Sequence, residues 1–216
     1  MSAADRFFTR WWINQRASIA MLLKRSEAAI GCYRQLLSLD PGDEVARSTL
    51  GNLLMEKGDA AGASDEFERL VEINPANAEA WFNLGFVYEQ RDKLADAERC
   101  FRRAVELNPS IDRAWYGLGL VLIRRGCLRE AADVLKKNIA LQPFSPYGYY
   151  QLGMTYHHLG ESAEAWRIHD KLKGFEPRYA ATLKRDIENT PRQQSAAPDS
   201  STRSESDNRE ASALTQ

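Results

Sequence analysis

Five prolines of this 216-residue chain, Pro41, Pro75, Pro109, Pro143 and Pro177, each fall 34 residues after the last. A strict period of that length marks an array of stacked helical hairpins, whose units bury a continuous core only together. With the proline at position 32 of a unit, units begin at Arg10, Glu44, Ala78, Asp112 and Pro146. Position 8 then reads Ala17, Gly51, Gly85, Gly119 and Gly153, and position 20 is alanine throughout: Ala29, Ala63, Ala97, Ala131 and Ala165. Position 7 gives Leu50, Leu84, Leu118 and Leu152, and position 4 gives Trp81, Trp115 and Tyr149. Position 24 gives Tyr33, Phe67, Phe101 and Leu135, then departs at His169.

Each slot has a physical reason. Small residues at positions 8 and 20 let two antiparallel helices approach where they cross, and the large ones fill the space around the crossing to interior density. Proline cannot continue a helix interior, and it biases the residue before it away from helical dihedrals. Gly58, Gly126 and Gly160 fall at the turn between the two helices of a unit, where positive φ costs glycine little.

On these residues the chain resembles the tetratricopeptide repeat (TPR) family, whose pattern is W-x-x-L-G-x-x-Y, then A-x-x-x-F, then P. Residues 44–179 match well; the first unit matches only in its second helix, SEAAIGCYRQLLSLDP, and has Arg16 in the leucine slot. The resemblance implies an all-α, right-handed superhelical solenoid of five hairpins with a C-terminal capping helix. The expected organisation is an aromatic and basic leader at 1–9, units at 10–43, 44–77, 78–111, 112–145 and 146–179, and a capping helix at 180–189. From Thr190 to Gln216 the only large apolar residue is Leu214, so this tail is expected to stay disordered.

The resemblance also implies an interaction surface: in this family positions 2, 5, 6, 9, 12 and 13 of each first helix line the concave groove. Here they supply an aromatic and apolar band, Phe82, Phe86, Tyr116, Leu120, Tyr147, Tyr150 and Met154, with Asn83 and Gln151 placed to hydrogen-bond a ligand backbone. Contiguous apolar patches in water-facing positions mark interaction sites. Asn52, Asn83 and Arg113 match part of the carboxylate clamp of TPR co-chaperones, but Ser48 and Gly117 stand where that clamp needs basic residues. The asparagine ladder of glycosyltransferase-linked TPR arrays is broken at Thr49, Gly117 and Gln151.

With 29 basic and 30 acidic residues the net charge is −1, which gives no global electrostatic reason to expect nucleic acid. Cys32, Cys100 and Cys127 are an odd number with no secretory signal before them, and they read as reduced thiols of a cytoplasmic protein. The Ala17–Leu23 stretch is far too short to span a bilayer. Lys24 to Glu27 put charge where a lipoprotein signal before Cys32 would need an apolar run. His157 and His158 are adjacent, not the i, i+4 pair with which a helix chelates, and no phosphate loop or nucleophile elbow is present. The expectation is therefore a non-catalytic adaptor without cofactor or metal that binds a partner's peptide or helix, with self-association open.

The first residues stand apart. Phe7, Phe8, Trp11, Trp12 and Ile13 lie among Arg6, Arg10, Arg16, Lys24 and Arg25. Such a helix can cap the first hairpin, occupy a groove in cis or in a second copy, or lie on a membrane surface as a peripheral assembly factor would.

Overall fold

A computed structural model describes residues 3–190, which form eleven helices and no strand. The tail from residue 191 onward, expected to be disordered, lies outside the described residues. Helices pair in antiparallel hairpins: α1 (Ala3–Leu22) with α2 (Ser26–Leu39), α3 (Glu44–Glu56) with α4 (Ala60–Ile73), and α5 (Ala78–Gln90) with α6 (Leu94–Leu107). Then come α7 (Asp112–Arg124) with α8 (Leu128–Leu141), α9 (Pro146–His158) with α10 (Ser162–Lys173), and finally α11 (Pro177–Asn189). Each second helix also packs on the first helix of the next unit, so contacts run only between neighbours and the array is an all-α solenoid.

The small slot at position 8 faces the large slot at position 24 of the same unit. A Cβ on Gly51 would stand 2.7 Å from Phe67, one on Gly85 2.9 Å from Phe101, and one on Gly119 2.7 Å from Leu135. The fifth unit has His169 at position 24, and there the Gly153 crossing is closed instead by Leu183 of α11, at 2.7 Å from the same construction.

Position 4 does more than fill space. The indoles of Trp81 and Trp115 donate to the carbonyls of Pro75 and Pro109 at 2.9 and 2.8 Å, and the Tyr149 hydroxyl donates to Pro143 at 3.1 Å. In the second unit Arg47 takes this role, donating to the Pro41 carbonyl at 2.5 Å while its other nitrogen pairs with Glu66 at 2.6 Å. The proline carbonyl at each loop is thereby held by the helix that follows, which satisfies a backbone acceptor that the broken helix leaves open.

The turn between paired helices is the same in every unit. Gly58, Gly126 and Gly160 have φ of 85, 77 and 79°, and the equivalent Lys24 and Asp92 adopt 53 and 60°. The first unit closes this turn as the second does: Arg25 N–H donates to the Ala20 carbonyl at 2.8 Å, as Asp59 does to Leu54. The hairpin whose first helix departs from the repeat pattern therefore folds like the others. A lysine in the left-handed region carries a steric penalty that glycine escapes. Lys24→Gly is accordingly expected to raise stability by ~0.5–1 kcal/mol, read as a higher urea midpoint at unchanged slope. At Asp92 the gain is smaller, because its carboxylate pairs with Arg124.

Two boundaries differ from the sequence reading. α1 runs unbroken from Ala3 through the expected leader and into the first unit. α11 starts at Pro177, three residues ahead of the expected 180, with proline in its first turn, where a missing N–H costs nothing. Thr190, assigned to the tail, instead caps α11, its N–H bonded to the Asp186 carbonyl at 2.9 Å.

Candidate functional site

First helices line up along one face, α5 touching α7, α7 touching α9 and α9 touching α11. Between α3, α5 and α7 opens a cleft of about 480 Å³ lined by Asn52, Met55, Glu56, Phe82, Asn83, Phe86 and Arg113, with Phe67 beneath. These are positions 9, 12 and 13 of one unit, 5, 6 and 9 of the next, and 2 of the third. Phe86 is 43 % exposed and is the apolar side chain the cleft presents to solvent. Phe82 is only 9 % exposed: its ring lies 6.0 Å from that of Phe101, and the Arg113 guanidinium sits 4.7 Å above it. Phe82 is thus floor and support for Arg113, not an outward contact, because position 5 turns partly into the crossing with α6.

A second cleft of about 380 Å³ is lined by Asp112, Arg113, Tyr116, Asn138, Gln142, Ser145 and Tyr147. Arg113 stands between the two clefts and reaches Glu79 at 3.4 Å. Asn138, Gln142 and Ser145 come from α8 and the loop after it. The sequence reading, confined to first helices, did not single them out, although a polar Asn138 among the apolar slots of α8 is a signal it could have used. Asn138 is buried and donates to the Asp112 carbonyl at 2.9 Å. Burial pushes the Tyr116 phenol up against the opposing hydrogen bond from Gln151, so at neutral pH it is a hydroxyl. Gln151 is therefore already engaged with Tyr116.

The fifth-unit end of the expected band is covered. Tyr150 donates its hydroxyl to Asp186 of α11 at 2.8 Å, Met154 packs on the cluster that contains Leu183, and His157 Nε2 lies 2.8 Å from the Thr190 carbonyl. Burial, reinforced by the Asp186 carboxylate, pushes the Tyr150 phenol up to about 12 and keeps it a donor. Tyr147 remains 56 % exposed, edge-on to Tyr179 at 5.5 Å. Leu120 is half-buried between the two ends. Of the nine residues expected in the groove, Phe82, Asn83 and Phe86 line the first cleft, Phe82 as its floor, and Tyr116 and Tyr147 the second. Tyr150 and Met154 lie against α11, because this helix packs on α9 as a sixth first helix would.

Gly117 has a steric reason to break the carboxylate clamp: a Cβ there would stand 2.7 Å from Phe101 Cζ, so no basic side chain fits the slot. The N-terminal aromatics do not fill the groove in cis; Phe7, Phe8, Trp11 and Trp12 are exposed, while Ile13, Ala17 and Ala20 seal α1 onto α2. Among the described residues no three His, Cys, Asp or Glu side chains converge as metal ligands, and no helix is long and apolar enough to cross a membrane. Cys32 and Cys100 are buried and Cys127 is exposed; burial pushes the Cys100 thiol up to about 12, which leaves it unreactive. Burial, with His157 adjacent, holds His158 below the ordinary histidine range.

Stacked hairpins with a solvent-filled face between first helices define a helical-repeat interaction protein. Family models described as tetratricopeptide repeat match residues 13–43, 78–111 and 134–167, and one described as TPR repeat matches residues 51–92. The chain belongs to the tetratricopeptide repeat proteins. No curated protein matches it in sequence. Among solved structures it is similar to the MamA protein, with 25% identity, a TM-score of 0.74, and coverage of 80% of this chain and 94% of that one. It is also similar to YrrB, described as a TPR protein with an unusual peptide-binding site, at 26% identity and TM-score 0.69, covering 78% of this chain and 88% of that one. A MamA fragment from Desulfovibrio magneticus RS-1 shares the fold at 18% identity and TM-score 0.71, with 82% and 96% covered. TPR modules of this kind act by binding other proteins, and that is the class of function the fold defines.

Proposed function

We propose that this chain is a non-catalytic adaptor that holds an extended peptide of a partner protein along the inner face of α3, α5 and α7. The observation that carries the reading is the first cleft, where an exposed aromatic ring, Phe86, and an exposed guanidinium, Arg113, flank the amides of Asn52 and Asn83. An apolar ligand side chain covers Phe86, the asparagines bond its backbone, and Arg113 favours a carboxylate nearby. From there the ligand runs past Leu120 to Tyr116 and Tyr147 in the second cleft. The similarity to YrrB, itself described by its peptide-binding site, supports the same reading.

The test is to select peptides from a random library on the immobilised chain and measure their affinity for the Phe86→Ser/Leu120→Ser variant by calorimetry. The variant is expected to keep its circular dichroism and to bind at least ~2 kcal/mol more weakly, as loss of interface anchors does. A folded double variant that binds the selected peptides as wild type does removes the inner face as the binding site.

A further inference from the structure

The outward face of α1 is a second binding surface, and we propose that it docks on an anionic lipid bilayer. At 3.6 residues per turn, Phe8, Trp11, Trp12, Ile19, Leu22 and Leu23 fall on one half of the helix, opposite the Ile13–Ala17–Ala20 stripe that packs on α2. All six are exposed, Trp12 to 53 % and Ile19 to 56 %, and Trp11 stacks on Phe8 at 5.9 Å. Gln15 and Ser18 interrupt this half-cylinder, and Asp5 and Arg16 lie at its edge.

In the later units positions 3 and 10, those of Trp12 and Ile19, are buried in the stack. Position 3 is Ala46, Ala80, Ala114 and Gly148, all buried, and Ala46 clusters with Cys32 and Leu36 of α2. In α1 position 3 is Trp12. Its bulk refuses the close helix approach that alanine or glycine permits, so another TPR hairpin cannot continue the stack at this end. The far end of a second copy offers no apolar match either, since α11 exposes Arg178, Lys184, Arg185 and Glu188. Residues 191–216 have Leu214 as their only large apolar side chain, too little to cover six.

Charge separates the two occupants that are left. Residues 5–25 hold Arg6, Arg10, Arg16, Lys24 and Arg25 against Asp5 alone, in a chain whose net charge is −1. Arg10 is held by Asp40 and Asp43, and Arg6, Arg16, Lys24 and Arg25 are exposed. Two such helices pressed together repel, whereas an anionic lipid surface attracts both the cations and the aromatic stripe. Tryptophan and phenylalanine at the headgroup boundary, flanked by arginine, fit a helix lying in the interface plane.

The experiment uses the full chain with vesicles of phosphatidylcholine alone, or with roughly one third phosphatidylglycerol. Co-sedimentation is expected to show at least about tenfold tighter binding to the anionic vesicles, weakening as salt rises. Trp11→Ser/Trp12→Ser/Ile19→Ser, all at exposed positions, is expected to lose at least about tenfold with helicity unchanged. Arg16→Gln/Arg25→Gln keeps the apolar stripe and is expected to lose the preference for anionic over neutral vesicles, which keeps the test open should the first variant misfold. Absence of binding to either vesicle overturns the proposal. So does a lipid-free dimer in analytical ultracentrifugation that the first variant abolishes while vesicles bind neither protein, which assigns the face to a second copy.

Discussion

Gly119→Leu is expected to destabilise the array by ~1–3 kcal/mol or more, the cost of overpacking a filled crossing. The position is buried where α7 crosses α8, and a Cβ alone would stand 2.7 Å from Leu135 Cδ2 and 2.9 Å from its Cγ. Leu135 is itself fully buried, as are Val121 and Leu122 on α7 close to Gly119, so it can yield only by displacing other core side chains. The three carbons that leucine carries beyond Cβ must therefore part the two helices. Because each unit is stabilised chiefly by its neighbours, loosening the fourth unit also weakens the third and fifth. Gly126→Ala is the internal comparison. Its φ is 77° but nothing lies within 4 Å of its Cβ, so the substitution meets only the left-handed penalty of ~1–2 kcal/mol for one residue. Urea unfolding is expected to rank wild type above Gly126→Ala and that above Gly119→Leu. Coincident midpoints for Gly119→Leu and wild type refute the pairing of positions 8 and 24.

That pairing shows what a periodic sequence reveals and what it hides. Small and large slots at positions 8, 20 and 24 could be read directly, because helix crossings demand them in any such array. Which slot faces which could not, and the fifth unit shows why: His169 leaves the crossing at Gly153 to Leu183, a residue of another helix. The left-handed turn was legible where it is glycine, and hidden at Lys24 and Asp92, whose residue types carry no such signal. Position 4 read as filler; its hydrogen bond to the preceding loop explains how Arg47 occupies an aromatic slot. Ending the fifth unit two residues after Pro177, as the repeat frame does, misplaced the start of α11, since Pro177 serves inside a first helical turn. For the site, the first cleft follows from the first-helix positions that the family resemblance supplied. Asn138 and Gln142 were missed because the family resemblance places the groove on first helices alone, and the covering of Tyr150 and Met154 because α11 packs on α9 through residues outside the repeat frame.

Ending the chain at Glu176, which removes α11, is expected to cost the array its fifth unit and to drive aggregation. Leu183 is fully buried and Ile187 nearly so, and deleting them forfeits the ~3–6 kcal/mol that burying two such side chains contributes. The loss goes beyond their own area. Without Leu183 the Gly153 crossing keeps only Ile168, 3.4 Å from where a Gly153 Cβ would stand, since His169 turns to Asp170 at 3.0 Å instead of filling it. Tyr150 loses its acceptor on Asp186, His157 loses the Thr190 carbonyl, and Tyr147 loses the ring of Tyr179. The face of α9 that α11 covers, from Tyr147 through Tyr150 and Gly153 to His157, then lies against water with no polar lid, the condition a terminal repeat exists to prevent. Ending the chain after Thr190 keeps every one of these contacts, and its melting temperature and helical content are expected to match wild type. Leu183→Ala isolates the main contact without shortening the chain and is expected to cost ~2–5 kcal/mol. Scanning calorimetry and size-exclusion chromatography of the three proteins decide the matter. A monomeric protein ending at Glu176 that melts with wild type would show that α10 alone closes the array.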